Sequence, residues 1–242
     1  MNEKFDGVVL RTIKYDDNLM IADIYTLQQG RMSFLLPVTH GKKARVRNVF
    51  FQPLSMVSFI APRRGTKRLV RITEARPYNL YNSIPYDVVK SSIAIYLAEV
   101  LTYALREEEQ NESLFIFIDR ALTWFDSAEE GYADFHLVFM ARLLRFLGIA
   151  PCVDNTTANS YFDMQAGVLV HEHPLHPHFL LPAATAVFAR LFAADFLSVR
   201  SLALNGEQRG WFLAVLEEYY RLHIPDFPSL RSGEVLREFY RG

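Results

Sequence analysis

Three consecutive strands are predicted by residues 5–38, FDGVVLRTIKYDDNLMIADIYTLQQGRMSFLLPV. β-Branched and aromatic residues fill the apolar runs, and clusters of Asp, Asn, Gln and Gly interrupt them, as is typical of strands separated by turns. The strands and the turn signals between them are, in order, Phe5–Tyr15, Asp16-Asp17-Asn18, Leu19–Leu27, Gln28-Gln29-Gly30 and Arg31–Val38. We therefore expect this segment to form a three-stranded meander.

Two further strands are predicted before residue 78. Leu54–Ala61 follows Gln52-Pro53, and Leu69–Arg76 follows a basic turn. Five strands without βαβ alternation favour a small closed or nearly closed barrel, and the OB-fold is the natural candidate. The first predicted domain is accordingly a five-stranded OB-fold barrel over residues 1–78.

Residues 79–242 are predicted to form a second, helical domain. Pro77 and Pro85 mark the change of period, and one apolar face then recurs at three- and four-residue steps. That face is made by Val89, Ile93, Tyr96, Leu97, Val100 and Leu101. Further helices are predicted near residues 112–125, 132–147, 183–196, 206–222 and 230–240. The predicted fold class is therefore α+β, a barrel followed by an all-helical domain.

An irregular insertion interrupts the helical pattern at residues 149–182. It carries four histidines and four prolines. Within it, Tyr161-Phe162-Asp163 and Val168-Leu169-Val170 flank Gly167, which is the pattern of a small hairpin. We therefore expect a small hairpin inserted in the helical domain.

The charge is divided unequally between the two predicted domains. Residues 1–78 hold fourteen Lys/Arg and six Asp/Glu, a formal charge of +8, whereas residues 79–242 hold twelve and twenty-one, a formal charge of −9. The basic residues concentrate in GKKARVR, residues 41–47, and RRGTKR, residues 63–68. Such local density attracts polyanions by steering and counterion release. We therefore expect the first domain to bind nucleic acid.

The two basic segments join strands of the predicted barrel, and connecting loops of OB-folds border the face that grips a single strand. The predicted DNA-contacting residues are Lys42, Lys43, Arg45, Arg47, Arg63, Arg64, Lys67, Arg68 and Arg71. Aromatic candidates for base stacking in or beside this region are Phe34, Phe50, Phe51 and Phe59. Because alternation sends every second strand residue inward, we expect at most one of the four to stack on a base.

No catalytic residue and no cofactor is predicted. A phosphate-binding loop requires a glycine five positions before its Gly-Lys pair, but Leu36 stands there relative to Gly41. The sequence also lacks a Gly-x-Ser-x-Gly nucleophile turn. The single cysteine, Cys152, excludes an intramolecular disulfide and a zinc site built from several thiolates. We therefore expect a binding protein and not an enzyme.

A cluster of histidines in the insertion leaves one alternative open. The cluster comprises His171, His173, His176 and His178, and crowded imidazoles can bind a transition metal. The intervening prolines hold the segment extended, so that no more than two of these side chains converge readily. We predict no metal site, and the alternative is a metal-dependent hydrolase that uses His171, His173 or His176.

The chain carries no recognisable membrane or export signal. It has no run of eighteen or more apolar residues, and its start, MNEKFD, lacks the basic-then-apolar pattern of a signal peptide. A cytoplasmic protein without membrane contact is therefore expected.

Four short motifs follow one another along the chain. They are Gly7-Val8-Val9-Leu10 with Tyr15 and Asp16-Asp17, His40–Arg45 leading to Phe51-Gln52-Pro53-Leu54, Arg142–Pro151 (RLLRFLGIAP), and Tyr161–Leu169. Their order resembles that of the bacterial RecO family of DNA recombination and repair mediators. The third is similar to a family helix that ends in LLxxLGxxP, and the fourth to the hairpin after it. The resemblance covers nearly the whole chain.

The resemblance implies an N-terminal OB-fold, a C-terminal helical domain and no catalytic residues. It also implies binding of single- and double-stranded DNA, annealing of complementary strands, and loading of RecA together with RecR onto DNA coated by single-stranded DNA-binding protein. Many members carry four cysteines as a zinc knuckle after LGxxP, whereas only Cys152 is present here. An OB-fold protein that binds structured RNA remains the competing interpretation.

Overall fold

The computed structural model of the protein describes residues 2–38, 45–63, 69–106 and 109–240. The chain divides into two compact units, Met1–Ser127 and Ala128–Gly242. The β-sheet of the first unit ends at Asn79, next to the predicted border at residue 78. The two helices that follow the sheet belong to this first unit as well.

Within the described residues, the first unit contains one curled six-stranded sheet. Its strands are β1 Asn2–Lys14, β2 Leu19–Thr26, β3 Gly30–Pro37, β4 Met56–Pro62, β5 Val70–Arg71 and β6 Glu74–Asn79. They lie in the order β5-β3-β2-β1-β4-β6. The predicted meander is thus present as β1, β2 and β3, and the barrel-like fold class is confirmed.

The fifth predicted strand, Leu69–Arg76, is two strands in the structure. β5 pairs in parallel with β3, whereas β6 pairs antiparallel with β4 at the other edge of the sheet. Between them, the N–H of Ile72 donates to Leu35 O of β3 at 3.0 Å, and the N–H of Thr73 donates to Ile60 O of β4 at 2.9 Å. The chain therefore crosses from one edge to the other, which divides the strand and draws the two edges together.

The interior of the curled sheet is aromatic. Phe5 stacks on Phe59 with a centroid distance of 5.3 Å, and Phe34 meets Phe59 edge-on at 4.8 Å. Gly7 lies between the inward-facing Phe5 and Val9, and a Cβ there would come within 2.4 Å of Ile24 Cγ2. Glycine at this position therefore lets β1 approach β2 closely.

Two helices, α1 Val88–Ala104 and α2 Glu112–Ser127, complete the first unit. Arg31 of β3 donates to Thr102 O at 2.6 Å and Leu105 O at 2.8 Å, where α1 ends. Tyr25 of β2 stacks on Phe115 of α2 with a centroid distance of 6.5 Å. These contacts join both helices to the sheet.

The second unit is mainly helical. Its helices are α3 Phe135–Phe146, α4 Pro182–Ala193, α5 Gly206–His223 and α6 Arg231–Phe239. The predicted hairpin is present as β7 Tyr161–Asp163 and β8 Val168–Val170, with Gly167 at φ 71° in the turn. A further strand, β9 Phe179–Leu180, pairs with β7. Within the described chain, the insertion therefore contains a small three-stranded sheet, in which the two-residue strand β9 is added to the predicted hairpin.

Across the described residues, no helix is both long enough and apolar enough to cross a membrane.

Candidate nucleic-acid interface

The outer face of β1, β4 and β6 carries charged side chains in register. Strand pairing places Lys4 of β1 beside Ile60 of β4 and Glu74 of β6. Two residues along each strand, on the same face, Asp6 lies beside Ser58 and Arg76. The intervening row, Phe5 with Phe59 and Ala75, belongs to the core side of the sheet. Strand alternation therefore places two basic side chains, Lys4 and Arg76, on one exposed surface.

This surface contains a groove of about 470 Å³, which we call the basic groove. Its lining residues are Lys4, Arg45, Ser58, Phe59, Ile60, Glu74, Ala75 and Arg76. Among the described residues, three cations and one carboxylate thus surround a floor to which Ile60 and Ala75 contribute half-buried apolar surface. An extended polyanion fits this arrangement, because Lys and Arg neutralise phosphates while apolar surface can contact sugars and bases.

Two of the three cations of the basic groove have carboxylate neighbours. Arg45 Nη1 lies 3.2 Å from Glu74 Oε1, and Lys4 Nζ lies 3.6 Å from Asp6 Oδ2. Both basic side chains are more than half exposed, so these ion pairs are weak and readily exchanged. Phosphate groups can therefore replace the carboxylates at little cost.

Four of the nine predicted DNA-contacting residues lie within the described chain. Arg45 lines the basic groove, Arg47 lies over the ring of Phe50, Arg63 pairs with Glu3 at 3.6 Å, and Arg71 is exposed on β5. Only Arg45 among these four lines the basic groove. The predicted residues outside the described residues are Lys42, Lys43, Arg64, Lys67 and Arg68.

Sequence reasoning missed Lys4 and Arg76. Each lies outside the two dense basic segments, and neither has another Lys or Arg within three residues of it in the sequence. The sequence signal that could have found them is the two-residue alternation of β1 and β6, which predicts that the side chains of Lys4 and Arg76 face outward. Their meeting depends on the strand register, which the alternation does not supply.

Three of the four aromatic candidates for stacking are inside the barrel. Phe34, Phe51 and Phe59 are almost fully buried, with exposures of 0–1%. Phe50 is half-buried and packs against the edge of the same core. Phe50 is therefore the one of the four that reaches the surface.

Two other arginines of the first unit are committed to a buried carboxylate. Asp23 is 4% exposed and accepts from Ser33 Oγ at 2.5 Å, Arg11 Nε at 2.7 Å and Arg31 Nη2 at 3.2 Å. Burial alone would raise the pKa of the Asp23 carboxyl, but the Ser33 hydrogen bond and the two cations together lower it. Arg11 and Arg31 therefore stabilise the fold instead of presenting free charge to a ligand.

The histidines of the insertion have separate partners. His176 Nε2 lies 3.1 Å from Asp163 Oδ2, and His178 Nδ1 lies 2.5 Å from Glu218 Oε1. His173 packs edge-on against Phe179 with a centroid distance of 4.5 Å. The described part of the chain contains no group of three or more His, Cys, Asp or Glu side chains arranged to hold a metal ion.

Two arginines of α3 close the end of another helix. Arg142 Nε donates to Ala194 O at 3.1 Å, and Arg145 Nη2 donates to Phe192 O at 2.8 Å. Carbonyls at a helix C-terminus lack intrahelical partners, so these guanidinium groups satisfy the end of α4.

Comparison with known proteins gives a consistent result over nearly the whole chain. The family model described as recombination protein O N terminal matches residues 1–81, and that of recombination protein O C terminal matches residues 85–232. The chain is 41% identical over 241 residues to the DNA repair protein RecO of Bacteroides fragilis, covering 99% of this chain and 100% of the relative. It is 40% identical over 240 residues to that of Phocaeicola vulgatus and 31% over 241 residues to that of Flavobacterium psychrophilum, with the same coverage of both chains.

Proposed function

The chain belongs to the RecO family of DNA repair proteins, and we propose that it is a recombination mediator that binds single-stranded DNA in the basic groove. The basic groove is the observation that carries this proposal. It brings Lys4, Arg45 and Arg76 together on one face of the sheet. Each phosphate that a cation neutralises releases counterions, which favours binding without any need for base recognition.

Strand annealing follows from the same electrostatics. Two complementary strands repel each other through their phosphates, and a basic surface that neutralises one strand lowers that repulsion. The expected partners are RecR, RecA and single-stranded DNA-binding protein, with double-stranded DNA as a further ligand. The family resemblance supports these partners, and no residue of the chain is assigned to them.

The test is a binding series with single-stranded, double-stranded and RNA oligonucleotides from about 50 to about 200 mM salt. Single-stranded DNA affinity is expected to fall steeply with salt. Tighter binding of folded RNA than of DNA at equal salt would favour the RNA-binding interpretation instead. A flat salt response would contradict the electrostatic account.

A variant pair locates the site. Arg45→Ala with Arg76→Ala removes two cations from the basic groove, whereas Arg120→Ala with Arg221→Ala removes two exposed arginines elsewhere. The first double variant is expected to bind single strands about tenfold more weakly and to reduce the salt slope by about 1.4, since each single-strand contact contributes about 0.7. Equal losses in both double variants would show that net charge, and not the basic groove, determines binding.

A further inference from the structure

The segment beside the basic groove alternates between core and surface. Val46 is buried in the barrel core, whereas Arg45 and Arg47 on either side of it are exposed. The backbone at Arg47 is extended, with φ −118° and ψ 123°. The O of Arg45 accepts from the N–H of Ala75 at 2.9 Å, which fixes the segment against β6. Arg45 and Arg47 therefore face solvent as neighbours on a backbone held by the sheet.

A short 3-10 helix, Asn48–Phe51, holds a ring beneath Arg47. Phe51 anchors this helix in the core, and the N–H of Phe50 donates to Arg47 O at 3.0 Å. The Arg47 guanidinium carbon lies 4.9 Å from the centroid of the Phe50 ring. No carboxylate partner of Arg47 is found among the described residues. Its guanidinium is thus supported by an aromatic ring from an ordered element.

We propose that Arg47, supported by Phe50, is a stacking platform for one nucleobase of the bound single strand. This inference rests on the proposed DNA binding in the basic groove. A guanidinium plane stacks on nucleobases, and the ring beneath it holds the cation by cation–π attraction. Arg45 lines the groove two residues away, so a phosphate at Arg45 and a base at Arg47 lie within one stretch of strand.

The platform gives the site a preference that phosphate contacts cannot supply. Phosphates occur in single strands, duplexes and abasic strands alike, so a phosphate contact does not require an unpaired base. Bases of a duplex are stacked on one another and offer no free face. A stacking contact at Arg47 therefore favours single strands that carry bases.

The test compares a thymidine oligonucleotide with an abasic oligonucleotide of the same length and backbone. Arg47→Lys keeps the charge and removes the guanidinium plane, and Phe50→Leu keeps an apolar packing group and removes the ring. Both variants are expected to bind the thymidine strand about fivefold or more weakly and the abasic strand within about twofold of the unaltered protein. Arg120→Lys, an exposed arginine of α2, is the control and should change neither.

Each outcome separates this inference from the proposed function. Equal loss on both oligonucleotides in Arg47→Lys would mean that Arg47 contacts phosphate only, and no loss on either would place it outside the interface. Either result would contradict the proposed stacking platform but would leave the proposed DNA-binding function standing. Failure of the unaltered protein to bind any single strand would instead overturn the proposed function itself. Circular dichroism of Phe50→Leu and Arg47→Lys establishes that the compared proteins are folded.

Discussion

Arg45 and Glu74 form an ion pair, with 3.2 Å between Nη1 and Oε1, inside the basic groove. The carboxylate occupies a position where a phosphate would also be attracted. Removing its charge should therefore raise DNA affinity. We expect Glu74→Gln to bind single-stranded DNA about fivefold more tightly, the scale of one unit charge at about 4 Å in water. The salt slope should steepen by about 0.7, because one more cation is free to neutralise phosphate.

Glu130→Gln is the matched control for the Glu74 prediction. Glu130 also forms an exposed ion pair with an arginine, since its Oε1 lies 2.8 Å from Arg200 Nη1. Both variants change the net charge of the chain by the same amount. If Glu130→Gln tightens binding as much as Glu74→Gln, total charge explains the effect and the groove position of Glu74 has no special role.

Metal removal should leave the folded state unchanged. His176 and His178 each pair with a different carboxylate, Asp163 and Glu218 respectively, so the described residues provide no closed ligand shell whose loss would unfold the insertion. The melting temperature of tag-free protein is expected to be the same with and without EDTA. A large decrease that zinc reverses would show that the insertion does bind a metal.

Arg142→Gln with Arg145→Gln should affect stability more than DNA binding. Both guanidinium groups donate to carbonyls at the end of α4, so their removal leaves Ala194 O and Phe192 O without these donors. We expect a loss of about 1 kcal/mol for each hydrogen bond in the free energy of unfolding, measured by urea titration. Single-strand affinity should stay within about 1 kcal/mol of the unaltered protein. Abolished DNA binding in a folded variant would mean that the nucleic-acid site extends into the second unit.

The sequence predicted the strands that have clear local patterns and missed features that depend on pairing. The meander β1 to β3 follows from apolar runs separated by turn residues. The break at Ile72 and Thr73 does not, because it arises when consecutive N–H groups bond to β3 and to β4, which lie next to opposite edges of the sheet. Lys4 and Arg76 meet in the basic groove for a similar reason, since β4 lies between their strands and sets the register. Local patterns carry no information about such long-range partners.

Asp23→Asn should destabilise the barrel in a way that depends on pH. Asp23 is buried and accepts from Ser33, Arg11 and Arg31, so the amide would leave two cations without their counter-charge. Because Arg11 is partly exposed, we expect a loss of about 2 kcal/mol near neutral pH, below the roughly 3–5 kcal/mol typical of a fully buried pair.

The pH dependence of the Asp23→Asn effect follows from the lowered pKa of this carboxyl in the folded protein. A carboxylate whose pKa is depressed in the folded protein stabilises the fold fully at pH values above its pKa in the unfolded chain, about 3.9. That stabilisation disappears as the pH falls through the pKa of the folded protein. The difference in unfolding free energy between the unaltered protein and the Asp23→Asn variant should therefore be constant from about pH 5 to 7 and shrink below about pH 4. Urea titrations at a series of pH values measure it. A difference that stays constant down to about pH 2 would mean that the Asp23 charge contributes nothing, and that the variant loses stability through altered packing alone.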